Sequence, residues 1–484
     1  MRFKLWFPLL LIATVGLTAC GSDDDNDPTG EIRVIHASAD APEVNINLTD
    51  TASNRTETPV TNLDYAESSG FNRIDARTYD VDVEAITPTG NSTVISVPGV
   101  KVEEDSRTTV VAVGTVDSDD AAALEAVVLP DPSVDPTASQ VSLSVLHASP
   151  EAGSVDVYVT APGTDVDTVS PTFTFDYKDV VDASAAVGPL PAGNYQIQVT
   201  APGTSTVLYD SGNVDLSPFA GTRVALLAVD TVNQTTQDAA PIKLLAVTDS
   251  SVVELLDTDT QAGVKVAHVA PDAGAVDVVV DGSVAVSSLD YLDVAATDPG
   301  SGDQSYIGLD AGSHELNVNA PAGSGTAVFS TPVAADLAAG MEYSVLALGK
   351  VSGSGDTAFD LSPTTDANRA IATQASVKVV HGAPDVGTVD VYVTPAGDVS
   401  VADITGGSAG NPAVADLDFR TITDYLALDP GDYDIRVLDQ ASNTVVIDAT
   451  GVTLSGGDVI TAIARQADGV DGDPAEPGLL LLTN

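Results

Sequence analysis

Residues 377–393 read VKVVHGAPDVGTVDVYV, and the fold follows from this stretch. Val377, Val379 and His381 alternate with Lys378 and Val380. After a break rich in Gly, Pro and Asp, Val389, Val391 and Val393 alternate with Asp390 and Tyr392. A period of two in Val and Tyr, interrupted by turn residues, predicts two half-buried antiparallel strands.

The stretch has three relatives elsewhere in the chain: IRVIHASADAPEVNINL from Ile32, LSVLHASPEAGSVDVYV from Leu143 and VKVAHVAPDAGAVDVVV from Val264. Their histidines, His36, His147, His268 and His381, lie roughly 110–120 residues apart. A unit of that length is a whole domain, longer than the 20–50 residues of a solenoid repeat. Later landmarks recur in the same order. An apolar–Asp–aromatic triplet appears as Leu63-Asp64-Tyr65, Phe175-Asp176-Tyr177, Leu289-Asp290-Tyr291 and Leu417-Asp418-Phe419. A turn and strand follow as IDARTYDVDV, LPAGNYQIQV, LDAGSHELNV and LDPGDYDIRV. Seven or so strands per unit and no long amphipathic helix predict an all-β chain of four tandem immunoglobulin-like antiparallel β-sandwich domains. The expected units are residues 31–131, 140–250, 262–365 and 375–484, joined by polar linkers such as DPSVDPTAS from Asp131 and TDANRAIATQA from Thr365. AAALEAVVLP from Ala121, the nearest approach to a helix, closes a unit and reads as a strand.

Tyr195 and Tyr433 sit where a tyrosine corner would pin one sheet to the other through a phenol bonded to nearby backbone. Tyr79 keeps the aromatic in the first unit, while His314 replaces it in the third and reads first as a substituted structural residue. The H-x-x-P-D-x-x-x-V-D-V-Y-V opening followed by L-x-A-G-x-Y resembles domain-of-unknown-function family 4397, found in tandem in secreted and envelope proteins of bacteria. The likeness is closest in units two to four. Unit one departs from it, with Ala39 for Pro and Asn45 for Asp. The resemblance implies no catalytic residues.

The N-terminus supplies an address. Arg2 and Lys4 precede an uncharged run, LWFPLLLIATVGLTA, from Leu5 to Ala19. That run is shorter than the ~20 residues a membrane helix needs, so residues 1–19 read as a signal peptide. LTAC, ending at Cys20, is similar to a bacterial lipobox, and Cys20 is the one cysteine of the chain. The expectation is lipidation of Cys20 and anchoring by several acyl chains. Residues 20–30 would form an acidic tether. Gly21 in place of Asp points to the outer membrane, on its surface or its periplasmic face.

The chain carries 18 Lys+Arg against 70 Asp+Glu, a net charge of −52. Such a field repels phosphate, which argues against nucleic-acid partners. One cysteine excludes an intrachain disulfide and a Cys-rich zinc site. The four histidines fall on the inward parity just before a turn, where a ring bonded to turn carbonyls is the plain expectation. Metal binding with Asp277 or Asp390 is the competing one, opposed by strand parity. Calcium candidates are Asp117/Asp119/Asp120, Asp165/Asp167, Asp257/Asp259 and Asp468/Asp471/Asp473, none with EF-hand spacing. GGSAG at Gly406–Gly410 matches a nucleophile elbow in letters, but Asn411-Pro412 follows in place of a helix. Tyr158 and Tyr392 are expected to face outward and could form a sugar platform. The expected function is therefore a non-enzymatic, lipid-anchored envelope protein serving as a surface interaction or spacer module. It would need no cofactor or metal, and its partner would be an unidentified protein or glycan. The alternative is a carbohydrate- or calcium-dependent adhesin.

Overall fold

The computed structural model describes residues 28–116, 118, 122–232, 240–295, 306–328, 333–466 and 477–483. The signal peptide, Cys20, nearly all of the tether, and the Asp117/Asp119/Asp120 and Asp468/Asp471/Asp473 groups lie outside the described residues. The described chain is almost entirely strand, arranged as eight sheets in four two-sheet sandwiches. In the fourth unit, one sheet runs Leu426–Leu428, Ala375–His381, Val459–Arg465, Gly478–Thr483. The other runs Val414–Leu417, Val389–Pro395, Gly431–Asp439, Thr444–Leu454. Glu125–Leu129 is a strand, the closing one of the first unit.

The sheets are not wholly antiparallel. Each opening strand lies parallel to the late strand of its unit: Thr29–His36 beside Arg107–Val113, Gln140–His147 beside Arg223–Asp230, Ala262–His268 beside Glu342–Leu348, and Ala375–His381 beside Val459–Arg465. A parallel neighbour requires a long crossover, and here the whole second sheet serves as one.

The opening strands are also not half-buried. Val377 and Val379 enter the core of their own unit, while Val380 on the opposite face packs with Ala267, Val269, Leu346, Leu348, Ile463 and Leu482. That second cluster belongs jointly to units three and four. Units one and two share its counterpart, in which Ile35, Val111, Val113 and Leu129 meet Leu146, Leu227, Val229 and Leu245. The four repeats therefore form two back-to-back pairs, and each mixed sheet is covered on both faces. A strand in that position needs apolar residues at both parities.

The pairs have approximate two-fold reciprocity. The second residue of each opening motif reaches across to a backbone carbonyl at the closing end of its neighbour. Lys265 Nζ donates to Thr483 O (2.6 Å), and Lys378 Nζ donates to Thr365 O (2.5 Å). In the other pair Arg33 Nη1 donates to Thr248 O (3.0 Å), and Ser144 Oγ to Pro130 O (2.6 Å). The three cations are buried and each lies over an aromatic ring. Arg33 is 4.4 Å from the Phe71 centroid, Lys265 4.2 Å from Tyr306 and Lys378 4.5 Å from Tyr425. Phe71, Tyr306 and Tyr425 each stand three residues before the apolar residue that opens the corner sequence. In unit two that place holds Val187, opposite a serine instead of a cation. The linker before unit four is docked as well. Arg369 Nη1 donates to Ala41 O (2.6 Å), its other guanidinium nitrogen pairs with Asp64, and Ala372 N donates to Asp40 O (2.8 Å).

Candidate functional site

Each opening histidine ends its strand buried, at the point where the chain turns toward the second sheet. Its Nε2 faces the carbonyl six residues on: Pro42 for His36 (3.0 Å), Gly153 for His147 (2.6 Å), Gly274 for His268 (2.8 Å) and Gly387 for His381 (2.9 Å). A carbonyl can only accept, so Nε2 carries the proton. Nδ1 accepts from the backbone N–H two residues on in three units: Ser38, Ala270 and Ala383, each at 3.3 Å. In unit two the His147 Nδ1 has no such partner. The rings are thus held as the neutral Nε2–H tautomer, and in units one, three and four the Nδ1 lone pair is already taken by backbone. Burial lowers all four pKa values, that of His36 to about 4.

The triplet aromatic stands edge-on to the same ring. His36–Tyr65, His147–Tyr177, His268–Tyr291 and His381–Phe419 have centroids 6.0–6.4 Å apart at nearly perpendicular planes. The residue after that aromatic donates its N–H to the histidine carbonyl at 2.8 Å in every unit: Ala66, Lys178, Leu292 and Arg420. All four adopt left-handed φ, between 63° and 74°, a conformation that non-glycine residues hold only when the surroundings fix it. Two sequence landmarks some 30 residues apart are therefore one local structure. In units one and three the phenol leaves the unit: Tyr65 Oη donates to Asp230 O and Tyr291 Oη to Gln466 O, both at 2.5 Å. In units two and four the left-handed residue reaches across instead, Lys178 to Glu125 (2.5 Å) and Arg420 to the Ala358 carbonyl.

The corner residues share one geometry. Tyr79, Tyr195 and Tyr433 each donate Oη to the carbonyl four residues back, on Asp75 (3.1 Å), Pro191 (3.0 Å) and Asp429 (2.8 Å). His314 makes the equivalent bond to Asp310 O (2.7 Å) through Nε2, and its Nδ1 meets Asp281 Oδ2 at 2.8 Å. Those two contacts raise its pKa above the ordinary histidine value.

Asp277 and Asp390, the weighed metal partners of the histidines, have a different task. Asp277 Oδ1 accepts from Ser288 N and Asp390 Oδ1 from Asp416 N, each at 3.0 Å. Asn45 does the same for Asn62 N at 3.1 Å. Ser288, Asp416 and Asn62 sit at φ of 54–55° in strand irregularities, so this side chain caps a bulge, and Asn serves as well as Asp. Sequence reasoning missed that role. The available signal was an acceptor at the same place in every unit.

The other candidates are also absorbed locally. Asp165 accepts from Asp167 N (3.0 Å) and Asp257 from Asp259 N (2.8 Å) and Asp210 N (2.6 Å), so both acidic pairs cap turns. Among the described residues no group of three or more His, Cys, Asp or Glu is placed to hold a metal ion. Gly406 follows the short helix Val401–Thr405, so the Gly-Gly-Ser-Ala-Gly string lies behind a helix and not before one. Tyr158 and Tyr392 do not form an exposed platform: they are only 6% and 8% exposed. Tyr392 is covered by Ile404 of that helix together with Leu438. Strand parity placed it away from the core correctly, and an insertion then roofed it over. Among the described residues no helix is long and apolar enough to cross a membrane.

The family described as domain of unknown function DUF4397 matches residues 30–158, 262–392 and 394–483, well over half of the chain. The chain belongs to the DUF4397 family. The matches take in unit one and the opening of unit two and leave 159–261, the rest of unit two, uncovered. No curated protein matches the chain. Similar solved structures include a putative adhesin from Bacteroides ovatus, at 7% identity, covering 49% of this chain and 98% of that one with a TM-score of 0.13. Another is the fimbrial anchor protein Mfa2 from Porphyromonas gingivalis, at 11% identity, covering 47% of this chain and 99% of that one with a TM-score of 0.12.

Proposed function

We propose that this DUF4397 chain is a non-enzymatic envelope lipoprotein, anchored in the outer membrane through Cys20, that holds two rigid sandwich pairs away from the membrane as an interaction or spacer module. The observation that carries this reading is the use made of the repeated polar positions. The histidines, the corner residues His314, Tyr79, Tyr195 and Tyr433, and the bulge-capping Asp and Asn side chains all bond to backbone. What recurs is scaffold, and among the described residues no nucleophile–base pair recurs with it. Cys20→Ala tests the anchor: the variant should leave the membrane fraction or stop being processed. Retention in membranes with unchanged mobility would refute it.

One observation favours the second reading, an adhesin with a defined sugar ligand. A cleft of about 690 Å³ between units one and two has a lining of mixed polar and apolar surface, with Arg107, Arg223, Asp135, Asp249 and Thr222 beside Phe219. A glycan array with and without calcium separates the readings. Binding that Phe219→Ala removes would place function in this cleft, and a blank array would leave the spacer role.

A further inference from the structure

Unit two differs from its three neighbours inside its own core. Three interior positions can be compared directly. On the opening strand the first is Ile32, Leu143, Val264 or Val377, and the second is Val34, Val145, Val266 or Val379. On the late strand the residue paired with the second position is Val110, Leu226, Val345 or Ala462. Units one, three and four bury all nine of their residues here, none more than 6% exposed. Unit two leaves Leu143, Val145 and Leu226 only half-buried, although they point between its sheets.

The gap responsible is a cavity of about 80 Å³, against about 20 Å³ for the one in unit three. Its wall includes Val141, Leu143 and Val145 along one strand and Val157 and Val159 along the facing sheet, closed by Phe173 and Phe175. The exposed surface of that wall is entirely apolar. At one end stand Val187 and Gly188, and Val187 is 54% exposed. This is the position where the other units place Phe71, Tyr306 or Tyr425 over a buried cation. The gap also divides the core between the sheets of unit two into two separate clusters, whereas units one and three each have one and the second cluster of unit four, around Tyr392, lies outside its sheets. It falls in the unit the family match leaves largely uncovered.

We infer that unit two is a binding site for a single uncharged, unbranched alkyl chain. A fully apolar cavity offers water no hydrogen-bond partner and takes hydrocarbon instead, and about 80 Å³ is room for the inner few methylenes of a chain whose remainder leaves past the exposed Val187. Val141, Leu143 and Val145 line it over four residues of extended chain, about 13 Å, so the space is a slot suited to a linear chain more than to a compact ring. The net charge of −52 disfavours a carboxylate at the mouth, so the ligand is the alkyl part of an alcohol or ester and not a fatty-acid anion.

The test uses the full chain and 1-decanol. The melting temperature should rise saturably with decanol, at one molecule per chain. Decanoate at pH 8 should give a much smaller shift, and benzene a smaller one than decanol. Leu226→Phe, which fills the slot, should abolish the decanol shift, while the volume-conserving Leu226→Met retains it. Because Leu226→Phe could fail to fold, stoichiometry on the unsubstituted chain is an independent arm. No saturation, several molecules per chain, an equal response to decanoate, or an undiminished response in folded Leu226→Phe would each overturn the assignment.

Discussion

The two pair interfaces have the same geometry and different chemistry. Between units three and four, two lysines cross reciprocally, each over a tyrosine, and the Asp366 carboxylate lies 3.7 Å from Lys378 while accepting from Tyr306 (2.9 Å) and Ser344 (2.5 Å). Between units one and two, the same position carries a guanidinium that crosses in one direction and a serine hydroxyl that crosses in the other. The lesson is that the cross-contact needs a donor at a fixed place, while its charge is optional. Association itself comes from the apolar cluster around the donors. Burying a Val, Leu or Ile side chain contributes roughly 1.5–3 kcal/mol, and each interface buries many of them.

The largest expected effect comes from separating a pair. A fragment of residues 139–260 exposes the half of the shared cluster carried by Leu146, Leu227, Val229 and Leu245. Losing several such burials is comparable with the roughly 5–15 kcal/mol that stabilises a whole domain. That fragment should show an unfolded far-UV circular dichroism spectrum or aggregate, whereas residues 28–260 and 261–484 should each melt as one cooperative unit. A cooperative, monomeric melt of 139–260 alone would show that the pairs are merely neighbours.

The next effect sharpens the contrast in charge. Lys378→Ala leaves Asp366 buried with its nearest cation gone, and removing one partner of a buried ion pair costs about 3–5 kcal/mol. Ser144→Ala removes a neutral donor to Pro130 O and should cost about 1–2 kcal/mol. Urea melts of the two variants measure the difference, and equal losses would mean that charge is immaterial at both interfaces.

The smallest effect compares pH responses within the first pair. His36 is neutral when folded, with a pKa near 4 against an unfolded value near 6.5. Its contribution is therefore complete above pH 6.5 and is lost as pH falls toward 4, where it amounts to about 3 kcal/mol. Asp230 has the opposite sign. Burial raises its pKa to about 6, so it disfavours the fold as pH rises from about 4 to 6. The stability of residues 28–260 should fall on acidification below pH 6.5, less steeply than the histidines alone imply. Asp230→Asn should steepen that fall, and an unchanged slope would remove Asp230 from the account.

Much of this was legible in the sequence because it is local. Period two gives the strands, repetition gives four units, and Tyr79, Tyr195 and Tyr433 occupy positions where a phenol reaches back four residues. The pairing of units was harder to read because its shared clusters bring together strands of different repeats, such as those of Ile35 and Leu146 or Ala267 and Val380. Its signal was nevertheless present at the outward parity. Ile35, Leu146, Ala267 and Val380 alternate with the inward residues and are themselves apolar, which a solvated face does not require. The lysines between them disguised the pattern, since Lys265 and Lys378 look like solvent-facing residues until their ring and carbonyl partners are known. The cavity of unit two could not be read at all. Leu143, Val145 and Leu226 are as apolar as their counterparts, and only the separation of the sheets distinguishes them.

Reciprocal pairing also sets an arithmetic for how such a chain can grow or shrink. Each unit has one back, and the backs cover each other in pairs, one with two and three with four. Deleting a single unit would leave an uncovered apolar sheet with a side-chain donor and no carbonyl to receive it. A three-unit descendant would then have to find the missing back on another copy of itself, through an isologous contact that closes after two chains. Lengthening by two units leaves no such debt, so even repeat numbers give self-contained chains and odd numbers give dimers.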